Sequence, residues 1–340
     1  MTARRNSKKA LRRVAVVLFA AVLACGGCTG EGAKTKGTAP PEKVAICVIG
    51  TAGIPVALAL ENGLFAAQGL EVTLRKSSSG LETLESMLKG ECDLATPTET
   101  PVVFKSQENR EFSVLATTGA SENALRILAS RKSGIAGARD LKGKRILVSK
   151  GSTSHFFLDM FLASNGLSEA DVTVVMGGVA DVSAAFSSGE IDAYCQTDVM
   201  ILEPLQALGG DTVVLAAPGL CHTTFNVVAT NRYIREKPGA VKSILAALLQ
   251  NEALLTGDPA KAVRAVSRIL AVDAGSAAAI IANYDWRIGL HQTLVLSFEH
   301  VTQWAMESGF IQKAALPNYL DIVDTAPLRS LKPEAVLLIK

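Results

Sequence analysis

Between residues 44 and 230, short unbroken apolar runs alternate with stretches whose apolar residues return every three or four positions, and polar turns separate the two. The first run, 44–49, passes through Gly50-Thr51-Ala52-Gly53 into a helical stretch over 54–62 that carries Val56, Leu58, Ala59 and Leu60 and ends at Gly63. A second strand is predicted over 71–75. Ser77-Ser78-Ser79-Gly80 then opens a helix with Leu81, Leu84, Met87 and Leu88 on one face, and 90–95 leads into a third strand. Residues 113–118 read as a fourth strand and 124–130 as a strand that leaves this group. From Arg145 the rhythm restarts with a strand over 146–148, a turn at 150–154 and a helix bearing Phe157, Leu158, Phe161 and Leu162. Strands over 172–175, 191–195 and 212–215 follow, with a helix over 181–188 between the first two and another beginning at 202–205. Residues 225–230 read as a strand returning to the first group. The remainder is helical: 238–256, 259–271, 276–283 and 294–308. Strand alternating with helix predicts an α/β protein with parallel sheets covered on both faces. The restart divides it into two lobes, 44–122 with 222–330 and 123–221, and two crossings between them form a hinge.

The first 28 residues stand outside that pattern. Arg4, Arg5, Lys8, Lys9, Arg12 and Arg13 precede an apolar run over 14–24, which is too short to span a bilayer and reads as an export signal. Val22-Leu23-Ala24-Cys25 has the form of a bacterial lipobox, with Cys28 a second lipidation candidate. Residues 29–42 lack apolar periodicity and read as a flexible tether. Removing residues 1–24 takes away six of the 34 basic residues and none of the 32 acidic ones, so a formal charge of +2 becomes −4. A mildly acidic domain without a basic cluster gives no support for nucleic-acid binding. No further apolar segment is long enough to cross a membrane. Cys47, Cys92, Cys195 and Cys221 match no zinc spacing, and small buried thiols are the preferred reading over disulfides.

Every polar turn named above follows the carboxyl end of a strand, where open α/β sheets bind ligands. Ligand contacts are therefore expected from Thr51 and Ala52, Ser78, Ser79 and Gly80, Thr96, Thr98 and Thr117 in the first lobe, and from Ser152, Thr153, Ser154, Gln196 and Asp198 in the second. Hydroxyls and helix N-termini can hold an anion without a buried cation. No arginine occupies these turns, whereas Glu99 and Asp198 would suit an amine. For hydrolysis a nucleophile beside a base is needed. His155 lies near Ser152, but there is no Gly-x-Ser-x-Gly elbow, and His155 reads as an exposed or capping residue in a first helical turn. His222, His291 and His300 form no metal spacing, so neither metal nor cofactor is expected.

Four elements carry a family resemblance. Glu61-Asn-Gly-Leu-Phe-Ala-Ala-Gln-Gly-Leu-Glu-Val72 resembles a signature of periplasmic solute-binding proteins of the nitrate, sulfonate, taurine and thiamine-precursor group. Gly90-Glu-Cys-Asp93 and Gly189-Glu-Ile-Asp-Ala193 resemble its repeated Gly-Glu-x-Asp element, and Asp140-Leu-Lys-Gly-Lys144 with Gly151-Ser152-Thr153 resembles its most recognisable run. The resemblance implies a two-lobed fold of the periplasmic-binding-protein type (type II), with two parallel-core sheets joined by a two-crossing hinge. It implies a lipid-anchored, monomeric extracytoplasmic receptor that delivers a small solute to an ABC permease. Two enzyme families share the fold, a pyrimidine synthase of thiamine biosynthesis and a dehydratase of menaquinone biosynthesis. The cysteine cluster of the first is missing here, and export argues against both. A ligand-sensing lipoprotein for a membrane receptor is the other alternative.

Overall fold

The computed structural model of the protein describes residues 40–177 and 181–339. The export signal, Cys25, Cys28 and most of the tether lie outside the described residues. Within them, no single helix is long and apolar enough to cross a membrane.

Ten strands build two five-stranded sheets. They are β1 (Glu42–Val48), β2 (Leu70–Lys76), β3 (Leu94–Ala95), β4 (Phe112–Ser121), β5 (Leu125–Ser130), β6 (Arg145–Val148), β7 (Thr173–Met176), β8 (Ala193–Thr197), β9 (Thr212–Leu215) and β10 (Thr223–Thr230). The first sheet has the order β2-β1-β3-β10-β4 and the second β7-β6-β8-β5-β9, so the lobes share one topology. β1 begins two residues before the predicted run because Glu42 and Lys43 register against Leu70 and Glu71. Each sheet has the expected parallel core, β1 with β2 and β3 and β6 with β7 and β8, and one strand that runs against it: β10 is antiparallel to β3 and β4, and β5 to β8 and β9. The cause is the crossing itself. The other strands end at the side where the chain passes between lobes, so a strand arriving from the opposite lobe starts there and runs against its neighbours. Each arriving strand takes an interior position and is nearly all buried, as in Thr223–Val227 of β10.

The repeated Gly-Glu-x-Asp element has a structural task. In the first lobe the Asp93 carboxylate accepts the Ala45 N–H at 2.8 Å, and the Asp93 N–H donates to the Ala45 carbonyl at 2.8 Å. In the second, Asp192 accepts the Arg145 N–H at 2.9 Å while its own N–H donates to the Arg145 carbonyl at 2.8 Å. The motif thus ties the third strand of each lobe to the first. Asp192 also accepts Arg145 Nε and a terminal guanidinium nitrogen at 3.0 and 2.9 Å, and the Ser133 hydroxyl at 2.8 Å. Those bonds hold its carboxyl down at about 2, against the pull of its partial burial.

Two expectations are corrected. Cys47 and Cys92 form a disulfide, because the pairing of β1 with β3 brings their Cα atoms to 5.8 Å, while Cys195 and Cys221 are free and buried. The sequence reading assigns no element between 99 and 112, yet Glu99–Glu108 is a helix. Its apolar residues are few, and Pro101 falls in its first turn, where proline is tolerated. The C-terminal helices Pro238–Gly257, Pro259–Leu270, Ala274–Asn283 and Gln292–Glu307 follow the predicted order and pack on the first lobe through residues such as Leu245, Leu248, Phe298 and Val301. Each such fully buried side chain contributes about 1.5–3 kcal/mol.

Candidate functional site

A cavity of about 100 Å³ lies between the two sheets. By the measure in which one water needs roughly 10–15 Å³, it has room for a small solute. Four helices begin at its wall. Ile54–Glu61 follows the turn Gly50–Gly53, Gly80–Leu88 is capped by Ser79, Glu99–Glu108 follows Thr98, and Thr153–Ser164 is capped by Ser152. Each such terminus, two of them with Glu82 or Glu99 in the first turn, carries roughly half a positive charge from its aligned peptide dipoles. The sequence places them there because every one of these turns follows a strand that ends at the same side of its sheet.

Of the expected contacts, Thr51, Ala52, Ser78, Ser79, Gly80, Thr98, Ser152, Thr153, Ser154 and Gln196 line the cavity. Ser79 and Ser152 spend their side-chain oxygens on caps, accepting Glu82 N–H at 3.1 Å and His155 N–H at 3.2 Å. The Ser78 hydroxyl donates to Glu82 at 2.6 Å, and that of Ser154 to Gln196 Oε1 at 2.7 Å. Thr98 and Thr153 join hydroxyls across the two lobes at 2.9 Å. The Thr51 hydroxyl is buried without a partner, at 3 % exposure. A buried polar group left unpaired costs about 1–3 kcal/mol, so this one is poised for an incoming acceptor or donor. Gly80 answers a steric need: a Cβ there would sit 2.7 Å from Pro101 Cγ, so only glycine lets the two helix starts meet.

The cavity also takes in Ile49, Gly50, Pro101, Ser149, Thr197, Met200 and Phe225, which the sequence reading did not select. Ser149 and Thr197 flank the turns that were selected, and proximity alone could have found them. Ile49, Pro101, Met200 and Phe225 supply an apolar wall, and no local signal marks them. Among the described residues that line the cavity, none is charged.

Thr96, Thr117 and Asp198 do not reach it. Thr96 is fully buried, with its hydroxyl turned to the Cys47 carbonyl. Thr117 donates to Asn226 at 3.0 Å and borders a separate cavity of about 70 Å³ behind the site, with His222 and Thr224. Asp198 belongs to the hinge: it accepts Tyr284 OH at 2.5 Å and Asn283 Nδ2 at 2.8 Å, and burial pushes its carboxyl up. Asp181 caps Val182–Ser188, accepting the Ala184 N–H at 2.8 Å. Glu99 lies one layer behind the wall at 1 % exposure, its carboxylate accepting the Thr224 N–H at 2.8 Å. Burial raises its pKa to about 7 despite that bond.

His155 is a first-turn residue as expected and its Nδ1 accepts the Gly151 N–H at the helix start, but it is not exposed. It is fully buried, wedged edge-on against Trp304 and Phe310 at ring distances of 5.5 and 5.3 Å, and its Nε2 faces Glu169 at 2.8 Å. Nearby, Trp304 of the first lobe donates to Asp159 of the second at 2.6 Å. His155, Asp159 and Glu169 bring three donor atoms within 4.8 Å of one another. They do not fit a metal: His155 Nδ1 accepts the Gly151 N–H at 3.2 Å, so Nε2 carries the ring proton and has no lone pair to offer.

The family model described as NMT1/THI5 like matches residues 51–262. A putative aliphatic sulfonates-binding protein of Escherichia coli (strain K12) is 27% identical over 206 residues, 61% of this chain and 63% of the relative, so the match spans under two thirds of that protein's length. One of the same description from Bacillus subtilis (strain 168) is 27% identical over 245 residues, 69% of this chain and 71% of its own. The periplasmic aliphatic sulphonate binding protein SsuA from Escherichia coli superposes with a TM-score of 0.70 at 21% identity, covering 84% of this chain and 92% of that one. The nitrate-binding protein NrtA from Synechocystis PCC 6803 gives 0.66 at 14% identity, with 86% and 89% covered. At these identities the solved structures establish a shared two-lobed fold.

Proposed function

The chain belongs to the NMT1/THI5-like family, and from that premise we propose that it is an extracytoplasmic receptor for a small organic anion of the sulfonate class, which it hands to an ABC importer. The observation that carries the reading is the convergence of four helix N-termini and the unpaired Thr51 hydroxyl on a cavity whose lining residues bear no charge. Such a wall compensates a negative head group by dipoles and N–H donors alone. The apolar patch of Ile49, Pro101, Met200 and Phe225 supports an organic tail on the ligand, where bare nitrate would leave it uncovered. The names of the curated sulfonates-binding relatives point the same way.

Binding closes the lobes over the ligand, with the Thr98–Thr153 and Trp304–Asp159 bonds as latches across the gap. Water is excluded, which strengthens each hydrogen bond to the anion. No bond is broken in this reading, since His155 turns both ring nitrogens away from the cavity, to Gly151 and Glu169. A lipid on Cys25 or Cys28 would hold the receptor at the membrane beside its permease, with residues 29–42 as the tether.

The test is a thermal-shift screen of the full-length protein in detergent against alkanesulfonates, nitrate, aromatic carboxylates and primary amines. A ligand at one hundred times its dissociation constant adds about 2.7 kcal/mol. With about 2.1 cal/mol/K per residue over roughly 300 residues, that is about 4 °C. An alkanesulfonate shift that Thr51→Val with Ser154→Ala abolishes supports the assignment. A shift by amines alone refutes it.

A further inference from the structure

The turn that brings Ser152 and Thr153 to the cavity wall is fastened by one imidazole that does not itself line the cavity. His155 folds back over the start of its own helix, Thr153–Ser164, so that Nδ1 accepts the Gly151 N–H at 3.2 Å while the Nε2 proton goes to Glu169 at 2.8 Å. Gly151 has a φ of +64°, a left-handed conformation that glycine adopts readily and that turns the chain sharply into the helix. The ring thus holds the amide just before the capping residue Ser152. The two amides just after it, those of Thr153 and Ser154, have no backbone partner among the described residues and belong to residues of the cavity wall. Such N–H groups are what a helix start offers to an anion, and the turn sets their direction.

The same ring is where the other lobe lands. Trp304, near the end of Gln292–Glu307, and Phe310, just beyond it, meet the imidazole edge-on at 5.5 and 5.3 Å and pack on each other at 5.3 Å. Phe104 of Glu99–Glu108 completes the group, 6.2 Å from Trp304 and 6.0 Å from Phe310. Two contacts reach the turn itself: the Lys150 ammonium lies 5.7 Å from the Phe310 ring centre, and a Cβ on Gly151 would stand 3.6 Å from Phe104. The three aromatics belong to the first lobe, the imidazole and the turn to the second. Between them His155 is 0 % exposed. A phenyl ring would fill this aromatic pocket without any polar atom to satisfy, so packing alone does not account for a histidine here. Its acceptor on Gly151 does.

We propose that His155 is a positioning residue for ligand capture: closure of the first lobe presses its imidazole onto the Gly151 N–H, and the turn so fixed aims the Thr153 and Ser154 N–H groups at the anion. The proposal rests on the reading of the cavity as an anion site. Closure shields the Gly151 bond from water, which strengthens it, and each aromatic pair adds an attraction that depends on ring geometry. Linkage makes the effect reciprocal: an anion seated on the fixed turn favours the ring placement on which Trp304 and Phe310 close.

The test uses full-length protein in detergent, titrated calorimetrically with ethanesulfonate as the probe anion and ethylamine as the probe cation. His155→Asn gives up the ring but keeps an acceptor two bonds from Cβ, where Nδ1 stands. His155→Phe keeps the ring and gives up the acceptor. Ethanesulfonate affinity is expected to fall about 3- to 10-fold in His155→Phe, the range of one lost neutral hydrogen bond, and to recover in His155→Asn. Packing predicts the opposite order, with His155→Asn the more impaired, so melting temperatures of both variants are measured alongside. Amide hydrogen exchange over 149–154 reads the turn directly: ethanesulfonate should slow it in wild type and in His155→Asn, and should fail to slow it in His155→Phe. Trp304→Leu removes the edge-on contact without touching the turn. It should weaken ethanesulfonate binding, and should do so less in the His155→Phe background, where no acceptor remains to be pressed onto Gly151.

Unchanged affinity in His155→Phe, an affinity in His155→Asn below that in His155→Phe, or slowed exchange that survives in His155→Phe overturns the positioning role and leaves the anion reading intact. Equal losses from Trp304→Leu in both backgrounds overturn the link to closure. If wild type binds ethylamine and not ethanesulfonate, or binds neither, the anion reading falls and the proposal with it. The two failures are therefore read in different proteins, one in wild type and the other in its variants.

Discussion

Reduction of the Cys47–Cys92 bond should cost this protein more than any single side chain in its core. The bridge joins the end of β1 to the residue pair before β3 and closes a loop of 45 residues holding β2 and the helix Gly80–Leu88. Loop-closure entropy removed from the unfolded chain amounts to about 13 cal/mol/K for that length, or about 4 kcal/mol at 25 °C. Spread over roughly 300 ordered residues, the loss lowers the melting temperature by about 6 °C. The assay is scanning calorimetry of oxidised protein, of protein reduced under denaturant and refolded with reductant, and of the Cys47→Ala/Cys92→Ala variant. The reduced protein keeps both sulfurs in the core, so it isolates the covalent link from the packing loss in the variant. The consequence reaches the ligand cavity, because the bridged strands lead into the turns carrying Thr51 and Thr98. Affinity for the probe anion should therefore fall on reduction even well below the melting temperature. Melting of fully reduced protein within about 1 °C of the oxidised form would refute the entropic argument.

Two further outcomes follow from packing and charge. Asp192→Asn removes the charge and one of the two oxygens that accept three hydrogen bonds from Arg145 of β6 and one from Ser133, and should cost about 2–3 kcal/mol in urea unfolding, toward the lower figure because Arg145 is partly exposed. With the Asp192 carboxyl held at about 2, its contribution is present above the ordinary value of 3.8 and lost as pH falls through 2, so wild type should show an acid-side loss of stability that the variant lacks. Gly80→Ala drives a methyl to 2.7 Å from Pro101 and should cost about 1–3 kcal/mol while opening the cavity between the two helix starts, read as reduced anion affinity with an intact circular dichroism spectrum.

The sequence made legible whatever depends on neighbours in the chain. Thr51, Ser79 and Ser152 stand out because each lies in a turn that follows an apolar run, and local order of that kind survives folding unchanged. Thr117 and Thr96 failed for a different reason. Strand residues alternate sides, and which side meets the ligand depends on β10 arriving between β3 and β4, an event more than a hundred residues later. Asp198 fulfilled the rule of standing after a strand but found Tyr284 and Asn283, 86 and 85 residues away, before any ligand. His155 looked exposed because the aromatics that bury it, Trp304 and Phe310, lie in the last third of the chain. The apolar wall of Pro101, Met200 and Phe225 was illegible for the same reason: these residues meet only in three dimensions.

The interior placement of the two arriving strands sets an order of assembly. All five strands of the second sheet fall within residues 125–215, so this lobe can complete itself as soon as that segment is available. The first sheet has three of its neighbours in hand by Ala95, but the place between β3 and β4 stays open until β10 ends at Thr230. A chain emerging from its N-terminus would thus finish its second sheet first, and would carry a first sheet with unpaired β3 and β4 edges for over a hundred residues. Unpaired strand edges of this kind invite association between chains. The same interleaving that lets two lobes move as one clamp makes the N-terminal lobe the last to mature and the part of the molecule most dependent on timely completion.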